Sequence, residues 1–146
     1  MPDNENLKAK RNLTALVEFS RIINSSLDLH FILNNVLLTC LGKFLATRGI
    51  IALNINGKLK VKSYKGIPEI NISLFPDIDA SADCTENDDF KKFFTDNNIL
   101  VSEKISSSNE CVGIVCLGEK LNKQDYTKDD LDFLKTILNI AASAIQ

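Results

Sequence analysis

The sequence predicts an α+β domain: an antiparallel sheet with helices on one face and a short lid on the other. Three observations lead to this class of fold. Two apolar helical segments open the chain, alternating or apolar strand segments follow, and a capped amphipathic helix closes it. Two of the strands are joined by Asn56-Gly57, the dipeptide most typical of a tight hairpin turn.

The composition is that of one globular domain. The chain has 146 residues, 45% of them hydrophobic and 25% charged, with a net charge of −2. A net charge this small gives no overall electrostatic field that would attract nucleic acid. No apolar run reaches the roughly 18 residues that span a bilayer. The N-terminus has no apolar signal core. We therefore expect a cytoplasmic protein, with residues 1–6 disordered and residues 7–146 forming a single domain.

Two helices are predicted before the first strand, over about Leu7–Asn24 and Leu29–Ala46. In the second, apolar residues recur every three or four positions, which indicates a core-facing stripe. Asp28 precedes this helix and can cap its free amide groups. His30, the only histidine, lies in the first turn, where a solvated or structural role is expected.

The strands follow in two pairs. Gly49–Ile55 is apolar and β-branched, and after the Asn56-Gly57 turn Lys58–Lys62 alternates, with lysines facing outward. A second pair is predicted over Ile99–Ile105 and Cys111–Leu117.

Between the two strand pairs, residues 66–98 form the predicted lid. Asn71–Phe75 is predicted as a short strand that Pro76 ends, residues 77–87 as a loop, and Asp88–Asp96 as a helix. Acidic residues in the loop fall near the ligand positions of a calcium-binding loop, but Ala82 stands where that loop needs glycine. We therefore expect a solvated acidic loop and no metal site.

The lid is also rich in aromatic residues, which have two interpretations. They line a ligand pocket on the lid face of the sheet, or they fill that space themselves. The candidate pocket residues are Phe75, Phe90, Phe93, Phe94 and Cys116.

The closing helix begins after Thr127, an N-cap residue, with Asp130 three positions later as in a capping box. Its two apolar series cover roughly half of the circumference, more than one sheet face needs. Either the first helix of the same chain covers the surplus, or a helix of a second chain does. For the second interpretation the predicted dimer residues are Leu16, Phe19, Ile23, Phe133, Ile137, Ile140 and Ala144. The helix reaches Gln146 without a cap, so we expect it to continue into a downstream domain.

The order of elements resembles a GAF domain, a ligand-sensing and dimerisation module of signalling proteins. The resemblance is clearest in SRIINSSLDLHFILNNVL (residues 20–37) and in Gly113–Lys120 followed by Tyr126, Asp130 and Leu131. It implies a PAS-related antiparallel sheet of five to six strands and an ion pair between Lys120 and Asp130. Glu119 and Leu131 stand where nucleotide-binding members carry Asn and a second acid, which argues against a cyclic nucleotide.

The resemblance implies a regulatory function without catalysis. We expect a sensor and homodimerisation domain that relays ligand or dimer state, through its last helix, to an effector domain in the same chain. The alternative is a purely structural dimerisation module with a collapsed pocket. No haem, bilin or metal signature is present, so no cofactor is predicted, and the identity of any small-molecule ligand stays open.

The cysteines suggest a second alternative, because free-methionine-sulfoxide reductases resemble GAF domains and use cysteines. Their signature is absent here. Cys111 and Cys116 are five residues apart on one strand, so they are predicted to point to opposite faces and to be unable to bind one metal together. We expect Cys40, Cys84, Cys111 and Cys116 to be free thiols.

Overall fold

The structure, a computed structural model, describes the backbone of residues 2–25 and 28–145 and the side chains from Leu7 onward within these ranges. The helices and strands, in chain order, are α1 (Pro2–Asn24), α2 (Leu29–Phe44), β1 (Gly49–Ile55), β2 (Lys58–Lys65), α3 (Glu69–Ile72), α4 (Asp88–Asp96), β3 (Ile99–Ser107), β4 (Glu110–Gly118) and α5 (Lys128–Ile145). A single 3₁₀ turn, Cys84–Glu86, precedes α4.

The four strands form one antiparallel sheet in the order β2-β1-β4-β3. The α+β class is therefore confirmed, with four strands in place of the five to six expected. One reason is local: residues 69–72 form the short helix α3, and the predicted strand over Asn71–Phe75 is wrong. Pro68 is the extended residue that precedes α3. Pro76 follows soon after, and between the two prolines the helix forms a single turn.

The first helix is longer than predicted. Its backbone is helical from Pro2, five residues before the expected Leu7. The disorder expected over residues 1–6 is therefore not seen in the backbone of residues 2–6. Met1 lies outside the described residues. The second helix ends close to its predicted position, at Phe44, and Leu45 adopts the left-handed conformation that closes it. Asp28 caps its start as predicted, because its side chain accepts the His30 amide at 2.9 Å.

Both faces of the sheet are buried. On one face α1, α2 and α5 pack over Ile51, Leu53, Val115 and Leu117; on the other, the lid packs over Ile50, Ala52, Ile114 and Cys116. Neighbouring residues of β1 and β4 thus enter opposite cores, which explains why both strands read as continuous apolar runs.

A bulge in β4 changes the predicted orientation of one cysteine. Ile105 pairs with Gly113 and Ser106 with Cys111, so Val112 is an extra residue in its strand. Val112 therefore packs with the helices, while Cys111 and Cys116 both lie on the lid face. The prediction that the two cysteines point to opposite faces is wrong, because strict alternation fails across a bulge.

The Asn56-Gly57 turn joins β1 and β2 as predicted, with φ of 54° and 89°. We expect Gly57→Ala to lower the free energy of unfolding by about 1 kcal/mol, because a Cβ is disfavoured at this positive φ. Gly42→Ala is the control: Gly42 is helical with open space around it, so the same change should stabilise by up to about 1 kcal/mol. Urea denaturation of both variants measures the two effects, and equal shifts would contradict the assignment of strain to the turn.

Candidate functional site

Two sets of contacts fasten the lid to the sheet. At the β2 edge the Leu59 amide donates to the Ile78 carbonyl at 3.0 Å, and the Ala80 amide donates to the Gly57 carbonyl at 2.9 Å. Beside them Lys58 Nζ lies 2.7 Å from Asp79 Oδ1. On β3, the Lys104 ammonium donates to the carbonyls of Ala80 and Ala82 at 3.2 and 2.6 Å. The acidic loop is therefore closed over the sheet.

The predicted pocket residues do come together beneath this lid. Phe75 stacks edge-to-face on Phe90 and Phe93, with ring centroids 5.6 and 5.3 Å apart, and Phe94 lies 4.5 Å from Phe90. Phe90 is 1% exposed, and Cys116 on β4 is fully buried in the same cluster. The rings themselves pack into the space between the lid and the sheet, where a ligand pocket was one of the two interpretations of the sequence.

An asparagine network at the end of α4 was not anticipated from the sequence. Asn97 is 4% exposed; its side chain donates to the Phe93 carbonyl and accepts from the Asn71 amide, both at 2.9 Å. Arg48 donates to the Asn97 carbonyl at 3.0 Å, and Gly118 leaves room for this arginine, since a Cβ there would lie 2.2 Å from Arg48 Cγ. These residues are far apart in the chain, and no local pattern marks them.

The junction between β4 and α5 is organised around one carboxylate. Lys120 Nζ lies 2.6 Å from Asp130 Oδ2, and the two side chains are 10% and 22% exposed. The same oxygen accepts the Thr127 amide at 3.0 Å, while the Thr127 hydroxyl accepts the Asp130 amide at 3.1 Å, so the predicted capping box is confirmed. Tyr126 donates to the Gly118 carbonyl at 2.7 Å. These contacts join the last strand to the last helix.

The Asp130 carboxyl titrates below its ordinary range. Burial alone would raise its pKa, but hydrogen bonds from Lys120 and from the Thr127 amide, together with the lysine charge, outweigh burial and hold the pKa below the usual value. The charged form is thus the one that the folded state favours.

Three of the cysteines, Cys40, Cys84 and Cys116, are buried core residues, and Cys111 is half-buried. All four are free thiols. Burial raises the pKa of Cys40 to about 12, and it raises the pKa of Cys84, Cys111 and Cys116 as well. A thiol in such surroundings is protonated at neutral pH and is a poor nucleophile. His30 is exposed at the start of α2.

The predicted dimer residues divide into two groups. Four lie in the chain's own core at 9% exposure or less, where α5 packs against β3, α2 and α1: Phe19, Ile23, Phe133 and Ile137. The first helix and α2 of the same chain therefore account for most of the apolar width of α5. The other three, Leu16, Ile140 and Ala144, are partly exposed.

The helices leave an apolar patch at the surface. On α1, Leu13 and Val17 are 63% and 58% exposed, and they line a shallow groove with Leu16, Ser20, Arg21 and Asn24 of the same helix and Ile140 of α5. We call Leu13, Leu16, Val17, Ser20 and Ile140 the α1–α5 patch. Leu13 and Val17 were not among the predicted dimer residues, although their spacing of four along the helix is visible in the sequence.

Comparison with known proteins identifies the fold. No protein-family model and no curated protein matches this sequence. Among solved structures, the GAF domain of a phosphoenolpyruvate-protein phosphotransferase from Coxiella burnetii is similar with a TM-score of 0.68 at 12% identity, over 94% of each chain. The Acinetobacter counterpart gives 0.66 at 15% identity, over 91% of each chain.

A third similar structure is the GAF domain of a putative sensor histidine kinase from Pseudomonas syringae pv. tomato, with a TM-score of 0.68 at 10% identity. The match covers 99% of this chain and 92% of the kinase domain. The chain therefore has the GAF fold. Among the described helices, none is both long enough and apolar enough to cross a bilayer.

The Lys120–Asp130 pair predicts a pH dependence of stability. Because the folded-state pKa of Asp130 lies below the unfolded value of about 3.9, the pair stabilises the fold above that pH, and the stabilisation is lost as pH falls through the folded pKa. Asp130→Asn should therefore lower the free energy of unfolding by about 1–2 kcal/mol at pH 7. The deficit should shrink as the pH falls below about 4. Urea titrations at several pH values measure it, and a deficit that is constant with pH would refute the assignment.

The filled lid predicts the response to truncating its rings. Phe90→Ala should cost about 3–5 kcal/mol, because a 1%-exposed ring leaves a cavity when removed. Leu74→Ala, at a lid position that is 73% exposed, should change stability by less than about 0.5 kcal/mol. If Phe90→Ala were as mild as this control in urea denaturation, the ring would be lining an open pocket.

Proposed function

We propose that this chain is a regulatory module without catalytic activity, which dimerises through α1 and α5 and relays dimer state to an effector domain of the same protein. The observation that carries the proposal is the contrast between its two sides. The lid side is packed by Phe75, Phe90 and Phe93, whereas the helix side presents the partly exposed α1–α5 patch. This contrast favours helix pairing over ligand binding under the lid.

The role in signalling rests on the fold and on its neighbours. The similar GAF domains come from a sensor kinase and from phosphotransferases, where they are parts of larger proteins. In the proposed relay, a change at α1 reaches α5 through Phe19 and Ile23, which share one core with Ile137. The junction around Asp130 fixes the start of α5 to β4, so movement of the helix concentrates toward its far end.

Small-molecule sensing is a second candidate, and one feature favours it. A groove of about 410 Å³ lies between residues 71–76 and α4, within the usual range for ligand sites. Leu74, Pro76 and Phe93 supply apolar walls, and Asn71, Asp89 and Asp96 supply polar groups. Native mass spectrometry of the purified chain would reveal a retained small molecule, and Asn71→Leu should release it if it binds there.

The dimer is tested by a charge on the α1–α5 patch. We expect the wild-type chain to show twice the monomer mass in light scattering and Val17→Glu to be monomeric, because burying a glutamate charge at an apolar interface carries a desolvation cost. The stability of the monomer should change by less than about 0.5 kcal/mol, since Val17 is 58% exposed in the single chain.

Leu100→Glu is the matched control. Leu100 is 55% exposed on β3, on the sheet edge rather than on the α1–α5 patch, so this variant should keep the wild-type mass. A wild-type chain that stays monomeric at high concentration, or a Val17→Glu variant that still dimerises, would refute the proposed interface.

A further inference from the structure

The sheet has one edge that the rest of the described chain leaves open. Its β2 edge is paired with the lid, since the Leu59 amide donates to the Ile78 carbonyl and the Ala80 amide to the Gly57 carbonyl. The opposite edge is β3, which pairs with β4 alone. Within the part of the chain that the structure describes, no backbone hydrogen bond joins residues 99–107 to any element except β4. An open edge of this kind is a template for a further strand.

The register of the sheet identifies the backbone groups that face outward at β3. In a strand, the amide and carbonyl of successive residues point to opposite edges. The Gly118 amide donates to the carbonyl of Arg48, directly before β1, so the residues of β4 that alternate with Gly118 face β3. Their partners in β3 are Val101, Glu103 and Ile105. The amides and carbonyls of Ser102 and Lys104 therefore point away from the sheet.

A groove of about 380 Å³ runs along this edge. It meets residues 100–103 in succession, and successive side chains of a strand point to opposite faces, so a groove that meets all four lies at the strand's edge. Phe94 of α4 lines it on the lid side, and Leu131 of α5 lines it on the helix side. The alternate side chains of an added strand would each meet an apolar wall.

The two sides of the groove differ in charge. Glu103 lies on the helix side, because Val101 and Ile105, two positions away in either direction, pack with the helices. Lys91 of α4 lies on the lid side. Neither Glu103 nor Lys91 forms an ion pair among the described residues. Burial raises the pKa of Glu103 and the charge of Lys135 only partly offsets this, so the carboxylate would gain from a second cation.

Two irregularities limit the length of the open ladder. Leu100 is an extra residue in β3 and Val112 is one in β4, so the regular pairing of β3 runs over residues 101–105. Five residues of strand span about 17 Å. The edge therefore offers room for one short extended segment.

A second copy of β3 is a poor occupant of this edge. Only one antiparallel register uses both outward residues, with Ser102 of each chain opposite Lys104 of the other. That register places Glu103 of one chain directly opposite Glu103 of the other, and like charges at such a position are destabilising. The charge of the strand thus favours a segment of different sequence.

We propose that the β3 edge binds an extended segment of a partner protein in which apolar and basic residues alternate, and that this segment adds a fifth strand to the sheet. Its backbone pairs with the outward groups of Ser102 and Lys104. Its apolar side chains lie on the lid side against Phe94, and its basic side chains lie on the helix side beside Glu103. The reverse arrangement would bring the basic residues to Lys91.

A peptide with methylated amides tests strand addition directly. The probe is a fluorescein-labelled peptide of roughly nine residues in which valine and lysine alternate. Fluorescence anisotropy with the 146-residue chain should show saturable binding. Methylating every second amide nitrogen should weaken binding by about tenfold or more for the set that faces β3, and by less than about threefold for the other set. Equal losses from the two sets would contradict backbone pairing.

A proline on β3 tests the same contact from the protein's side. Ser102→Pro removes an outward amide without removing a hydrogen bond of the β3–β4 ladder, so the variant should fold and should bind the peptide about tenfold more weakly. Ser102→Ala is the matched control, because it keeps the amide and should bind like the wild type. Urea denaturation establishes that both variants are folded.

Charge reversal tests the sequence preference of the edge. Glu103→Lys should weaken the lysine peptide about tenfold at low salt and should confer binding of a peptide with glutamates in place of the lysines. Glu110→Lys makes the same change of charge at an exposed position at the start of β4, and it should leave the binding of both peptides unchanged.

Several outcomes would overturn the proposal. Absence of saturable binding, an equal loss in Ser102→Ala and Ser102→Pro, or failure of the glutamate peptide to bind Glu103→Lys would each do so. A fall in the mass of the Ser102→Pro chain in light scattering would show that β3 pairs with a second copy instead. If Ser102→Pro does not fold, the charge reversal decides the question alone. Val17→Glu should bind the peptide like the wild type, so failure of the proposed dimer would be seen separately.

Discussion

The two-sided burial of β1 and β4 is the constraint on which the rest of this structure depends. Each of these central strands sends alternate side chains into two cores, so neither face of the sheet can be left to water. The helices cover one apolar face of the sheet. The lid must cover the other, and it has only the 33 residues between β2 and β3 with which to do so. Aromatic rings cover the most apolar area per residue, which accounts for the concentration of phenylalanine in this segment.

Much of this fold could be predicted because its signals are local. The Asn56-Gly57 turn, the Asp28 cap and the Thr127–Asp130 capping box each depend on residues a few positions apart, and each has the expected geometry. The apolar runs at β1 and β4 likewise indicated buried strands. The predicted pocket residues share one cluster, since four of them belong to a single short segment that had to cover the sheet.

The features of the fold that could not be predicted depend on which surfaces of the helices and strands pack against each other. The half-apolar circumference of α5 is equally compatible with a partner chain and with α1 and α2 of the same chain, and the pattern contains nothing that separates them. The bulge at Val112 places Cys111 on the face opposite to the one that strict alternation along the strand predicts. The Arg48–Asn97 contact joins residues 49 positions apart, so no local pattern indicates it. In each case tertiary packing, and not the local sequence pattern, determines the arrangement.

The filled lid face and the open helix face together constrain how a signal can pass through this domain. A sheet packed with side chains on both faces is stiff, and a ligand under the lid would first have to displace Phe90 or Phe93 at a cost of several kcal/mol. By contrast, α1 touches the sheet's core mainly through one side, including Phe19 and Ile23, and its other side is exposed. Partner contacts on the helices therefore require no core to open. For that physical reason the structure favours, within the proposed function, contacts made on the helices over a ligand held under the lid.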